Sequence, residues 1–164
     1  MSVPAKFRMI SPTFTISSPI LEEDVDFLHK SGCRKLITLT GGFVTSRVLQ
    51  AVKKRSMHVE HFPLDLESGE TSMIEHQVRT LLDKVAGLYD SGSRFHLVCG
   101  PDMLEASFVT ALIRQICDDW DASSALIEAL EINSFVNYPT LVRRVLSSDV
   151  SRWKDLTHLL TGDI

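Results

Sequence analysis

Cysteine is scarce in this chain of 164 residues, with Cys33, Cys99 and Cys117 at unrelated spacings. An odd number without a repeat argues against a disulfide frame or a zinc site and predicts reduced thiols in a cytoplasmic setting. Positive charge is outnumbered: 17 Lys and Arg face 21 Asp and Glu, for a formal net charge of −4. That argues against nucleic-acid binding driven by overall charge. Long apolar runs are missing, so no membrane span is expected. Met1-Ser2-Val3-Pro4-Ala5-Lys6 lacks the apolar stretch of a signal peptide. Repeats, low-complexity tracts and linker-like stretches are absent as well. What remains, 44% hydrophobic and 23% charged, is the composition of a globular protein. The length fits a single domain over 1–164.

The first residues, 1–13, read as an arm or edge strand ahead of Phe14-Thr15-Ile16, whose alternation is β-like. Ser18-Pro19 predicts a helix start, with Ser18 as N-cap and Pro19 in the first helical position. Leu21, Val25 and Leu28 share one face of that helix, and Gly32 ends it. Lys35 to Thr40 reads as a buried strand running into Gly41-Gly42. Val44, Val48, Leu49 and Val52 then make a short amphipathic helix. His58 to Leu64 is the next strand, followed by a polar loop from Asp65 to Glu70. Ser72 and Glu75 suggest a capping box for a long helix striped with Ile74, Val78, Leu81, Leu82, Val85 and Leu88. Phe95 to Cys99 is the third clear strand. Gly100 to Met103 must turn, and an apolar helix runs from about Leu104 to Ile116. The remainder, 120–164, reads as helices packed on the body, starting at Ser123, Asn137 and Ser148.

Strands alternating with helices imply an α/β fold: a small, mostly parallel central sheet flanked by helices, with a helical C-terminal portion. Ligands of such folds bind beyond the C-terminal ends of the strands. Three loops qualify: Gly41-Gly42, Asp65 to Gly69, and Gly100 to Met103. The most informative is the junction at Cys99. A thiol ending a buried strand and facing a helix N-terminus is where free amides and the helix dipole favour a thiolate or a phosphate.

Several segments carry a resemblance. Phe14 to Pro19 with Glu22-Glu23-Asp24 and Phe27-Leu28, Gly32 to Leu39, His61-Phe62-Pro63-Leu64-Asp65, and Phe95 to Ser107 together resemble the cysteine-based phosphatase superfamily, in its small dual-specificity-like branch. The resemblance spans about Phe14 to Trp153. It implies that Cys99 stands at the nucleophile position and Asp65 at the general-acid position. The phosphate-loop positions would be Gly100, Pro101, Asp102, Met103, Leu104, Glu105 and Ala106. The family's motif has His before the Cys and an Arg after five intervening residues. Here those positions hold Val98 and Glu105. The Arg would grip the phosphoryl oxygens bidentately and hold the charge that spreads onto them. Glu105 reverses that charge, Pro101 removes a backbone donor, and Asp102 adds a second carboxylate. A like-charge contact at ~4 Å costs about 4 kcal/mol at an effective dielectric of ~20. The same carboxylates would raise the Cys99 pKa.

The resemblance therefore implies the fold, and the departures imply a pseudophosphatase that binds or scaffolds. Its expected partners are another protein, an active relative, or a small anionic ligand. The rival expectation is an active Cys-dependent phosphatase on phosphoprotein or inositol phosphate, with Arg47 or Arg114 replacing the missing Arg. The C-terminal segments Ser123 to Ile127 and Arg143 to Leu146 resemble a plant-and-fungal subgroup that acts on highly phosphorylated inositols. The N-terminal half matches a bacterial subgroup equally well. Each feature also has a plainer role. Cys99 suits a core, Glu105 suits the first turn of a helix, and Asp65 suits a turn. The six histidines lie in separate elements, with His58 and His61 on opposite faces of a strand, so no metal site or cofactor is expected. Arg34-Lys35, Lys53-Lys54-Arg55 and Arg143-Arg144 read as solvated faces. Trp120 and Trp153 read as packing residues for the C-terminal helices.

Overall fold

Short apolar and β-branched runs make the sheet. β1 (Phe7–Met9), β2 (Phe14–Ser17), β3 (Lys35–Thr38), β4 (His58–His61) and β5 (Phe95–Val98) pair in the order β1-β2-β5-β3-β4. The pairs β2–β5, β5–β3 and β3–β4 are parallel, and β1 is an antiparallel edge strand on β2. The helices are α1 (Glu22–Lys30), α2 (Ser46–Lys54), α3 (Thr71–Ser91), α4 (Leu104–Ile116) and α5 (Ala122–Ile132). This computed structural model describes residues 7–40, 44–66 and 71–133. The helices expected at Asn137 and Ser148, Arg143, Arg144 and Trp153, and the Gly41-Gly42 loop, lie outside the described residues. Among the described residues no helix is long and apolar enough to cross a membrane.

Two units can be distinguished. The first comprises Met1–Pro63 and Gly92–Ala106, the second Leu64–Ser91 and Ser107–Ile164. In the first, α1 and α2 share a core with one face of the sheet. Val25, Leu28, Val48 and Val52 pack there with Leu36 and Val98. Burying each such side chain contributes roughly 1.5–3 kcal/mol. On the opposite sheet face Phe14 and Phe95, partners in register, stack with centroids 5.1 Å apart. Ile16, Ile37 and Leu97 are fully buried beside them in the strand pattern.

α1 begins later than Ser18-Pro19 predicts. Its N-cap is Leu21, and three acids fill the first turn. The Leu21 N–H donates to the Asp24 carboxylate at 2.8 Å, and the Asp24 N–H donates back to the Leu21 carbonyl at 3.1 Å. A carboxylate at that position satisfies a free amide and complements the dipole, so it outweighs the Ser-Pro signal. Gly32 follows the helix at φ +94° as expected. β4 ends at His61, three residues short of the expected Leu64. Ser72 is the second residue of α3 and not its N-cap.

In the second unit α3 buries Ile74, Val78, Leu81, Leu82 and Val85. α4 is buried on nearly every side, its apolar residues joined by the buried polar Ser107, Thr110, Arg114 and Gln115. α5 is capped by Asp121, whose carboxylate accepts the Ser124 N–H at 2.7 Å. Arg114 ties this end of the unit together. Its guanidinium donates to both oxygens of Glu128, at 2.9 and 3.0 Å, and to Asp118 at 3.0 Å. It also stacks 4.1 Å over the Trp120 ring.

Candidate active site

Strand β5 delivers Cys99 and α4 receives the chain five residues later, at Leu104. The Cys99 N–H donates to the Ser17 carbonyl at 2.9 Å, so β2 fixes its main chain. The segment between is a closed turn. Pro101 has its φ preset for such a turn, and the Met103 N–H donates to the Gly100 carbonyl at 3.1 Å. Met103 itself sits at φ +58°, a left-handed conformation costly for a side chain of this size. Pro101 and Asp102 are exposed, and Met103 is buried.

Two groups meet the sulfur. The Cys99 thiol donates to Glu105 Oε2 at 3.2 Å, and the Ala106 N–H donates to Sγ at 3.3 Å. Cys99 has no accessible surface. Burial, then the Glu105 charge, push its thiol far above the ordinary value, while the Ala106 and Gly100 amides pull the other way. The balance keeps a neutral thiol. The two carboxylates do not act together as expected. Asp102 Oδ1 accepts the Leu104 N–H at 3.2 Å and so caps the start of α4. Glu105 is the carboxylate on the thiol. With the Met103, Leu104 and Ala106 amides engaged internally and Pro101 lacking one, little of a phosphate cradle is on offer.

Asp65 is exposed in the irregular stretch after β4 and belongs to the second unit. Arg114, an expected substitute for the missing Arg, is committed to Glu128, Asp118 and Trp120. Arg47, the other, is on α2, 3.8 Å from Glu22. Among the described residues no three His, Cys, Asp or Glu side chains are placed to hold a metal ion.

A polar cluster that the sequence did not reveal lies just upstream. His96, three residues before Cys99, is completely buried in β5. Thr15 Oγ1 lies 2.5 Å from its Nδ1 and Ser17 Oγ 2.7 Å from its Nε2, both hydroxyls coming from β2. Burial lowers its pKa to about 3, so the ring is neutral. Ser17 thus fixes both the His96 ring and, through its carbonyl, the Cys99 backbone. A lone His in an apolar strand was the available signal.

No protein-family model matches the chain, and no curated protein matches it in sequence. Solved structures do. The chain is similar to P. aeruginosa TpbA, with 15% identity over 92% of this chain and 89% of that one, at a TM-score of 0.74. It is also similar to the core catalytic domain of the PP-IP phosphatase SIW14 from S. cerevisiae. There the identity is 14% over 97% and 95% of the two chains, at a TM-score of 0.75. At such identities the likeness is one of architecture. The chain has the α/β fold of the tyrosine and dual-specificity-like phosphatases: the order of elements implied the α/β class, and the resemblance implied the rest.

Proposed function

We propose that this chain is a phosphatase-fold protein that binds or scaffolds and does not turn over phosphate esters. The observation that carries the reading is the contact between the Cys99 thiol and the Glu105 carboxylate. A nucleophile must be a thiolate, and this one is buried against a negative charge. The position that the resemblance assigns to the phosphate-gripping Arg is occupied by that same carboxylate. Among the other assigned positions, Met103, Leu104 and Ala106 spend their amides within the turn, in keeping with scaffold use. Its natural partners are then another protein, an active relative or a small anionic ligand. Three unpaired cysteines fit a reducing, cytoplasmic setting.

A second reading has its own support. The Ala106 N–H donates to the sulfur at 3.3 Å, and the Gly100 amide also favours its charged form, the arrangement a thiolate needs. SIW14 is a PP-IP phosphatase and TpbA has been solved with pTyr bound. In that reading Glu105 takes the thiol proton and swings away, the Cys99 thiolate displaces the ester oxygen from phosphorus, Asp65 protonates that leaving oxygen, and water then cleaves the phosphocysteine to release phosphate. Hydrolysis of p-nitrophenyl phosphate, a phosphotyrosine peptide and an inositol polyphosphate panel separates the two. Equal background rates for wild type and Cys99→Ser are expected. Turnover that disappears in Cys99→Ser would overturn the binding-only reading and support the second.

A further inference from the structure

The basic run at the end of α2 looks like a solvated face in sequence, with its cations complementing the helix C-terminus. In the structure it borders a concavity. α2 and its C-cap, together with Glu22 of α1, line an open cleft of about 580 Å3, with Ala51 in its lining and Arg47, Lys53, Lys54 and Arg55 around it. Four cations converge in a chain whose net charge is −4. The positive potential is therefore local to this surface.

Only part of that charge is neutralised from within. Glu22 and Asp26, one turn apart on α1, lie 3.8 Å from Arg47 and 3.4 Å from Arg55 respectively. The Glu22–Arg47 pair is well exposed, so it is weak and exchangeable. Lys53 and Lys54 are exposed, and among the described residues neither ammonium is in an ion pair. Gln50 adds an amide that can both donate and accept.

The kind of anion follows from the carboxylates. A polyphosphate or a nucleic-acid backbone carries a charge on every unit and no N–H donor between them, so it has nothing to offer Glu22 and Asp26. A peptide spaces its charges by about 3.3–3.6 Å per residue along an extended chain and alternates them with neutral amides. It can put carboxylates on the lysines and a main-chain N–H on Glu22.

We propose that the α1–α2 cleft docks an acidic segment of a partner protein, its carboxylates meeting Arg47, Lys53 and Lys54 and its main chain crossing Gln50 and Ala51. None of these residues belongs to the Cys99 turn, so the docking surface stands whether or not Cys99 turns over.

The test is fluorescence anisotropy of labelled octaglutamate on the full chain at low ionic strength. Saturable binding is expected, weakening as salt screens the contact. Lys53→Glu with Lys54→Glu should weaken it by about tenfold or more, by placing like charges on the ligand. Lys53→Gln with Lys54→Gln should weaken it less, and it decides the matter if the reversed pair fails to fold as judged by thermal melting. Cys99→Ser should bind as wild type does. Octalysine should not bind. Unchanged affinity in the folded lysine variants would overturn the proposal. So would tripolyphosphate or an eight-nucleotide single-stranded DNA binding as tightly as the peptide, which would mark an unselective anion patch.

Discussion

Cys99 and Glu105, six residues apart across the turn into α4, meet with the sulfur 3.2 Å from Oε2. The pairing joins the two ends of a turn whose amides are largely used internally, and it sets the charge state of the thiol. Removing the charge at constant shape tests it. Wild-type Cys99 should react with iodoacetamide more than about tenfold slower than an ordinary free thiol at neutral pH. Glu105→Gln should speed the reaction and shift its pH profile downward, because the raising effect of the carboxylate is gone. A peptide map reading alkylation at Cys99 measures both. An unchanged profile in Glu105→Gln would mean that burial alone governs the thiol.

His96 gives the protein an acid-sensitive core. Its folded pKa, about 3, lies below the ordinary histidine value of 6.5. The unfolded chain therefore takes up the proton first. Stability is fully present above pH ~6.5 and declines as pH falls toward ~3, by on the order of 4 kcal/mol from this group alone. His96→Gln, which keeps a donor and an acceptor for Thr15 and Ser17, should flatten the pH dependence of urea unfolding across that window. A wild-type profile as flat as the variant's would contradict the buried neutral ring.

Much of the architecture was legible because the strands are short runs that strand propensity marks and β5 is buried throughout. The α4 limits, Leu104 and Ile116, came out as expected for the same reason: an apolar run bounded by Gly100-Pro101 on one side. What stayed hidden depends on register. Thr15 and Ser17 meet His96 across about 80 residues, and only the β2–β5 pairing brings them there. At the site, Glu105 could be suspected of opposing a thiolate from its spacing. The turn that sends Asp102 to the Leu104 amide instead could not. The Leu21–Asp24 cap was readable in principle from three consecutive acids, but Ser18-Pro19 gave a competing local signal.

Arg114 is a structural clamp, and its removal should show in stability. Its side chain and that of Glu128 are 10% and 12% exposed. Arg114→Ala leaves the Glu128 and Asp118 carboxylates without their cation and removes the stacking on Trp120. A loss of about 3 kcal/mol in urea unfolding is expected. Arg114→Lys keeps the charge but loses the two-pronged geometry, so it should recover only part. Adding Glu128→Gln to Arg114→Ala should cost less than the two single effects combined. Simple additivity would show that the pair is not coupled.

Gly32 tests how α1 is joined to the sheet. It sits at φ +94°, directly after the Ser31 C-cap, and a methyl group there would come within 3.3 Å of the Arg94 guanidinium. That side chain donates to the Ser31 carbonyl. Gly32→Ala must therefore adopt an unfavourable backbone conformation and also displace Arg94. The first effect should destabilise the fold by about 1–2 kcal/mol. Gly32→Ala with Arg94→Ala relieves the crowding and leaves the backbone cost. If the double variant is no more stable than the sum of the single losses predicts, conformation alone accounts for the glycine. A recovery beyond that sum would assign part of its role to the room it leaves for Arg94.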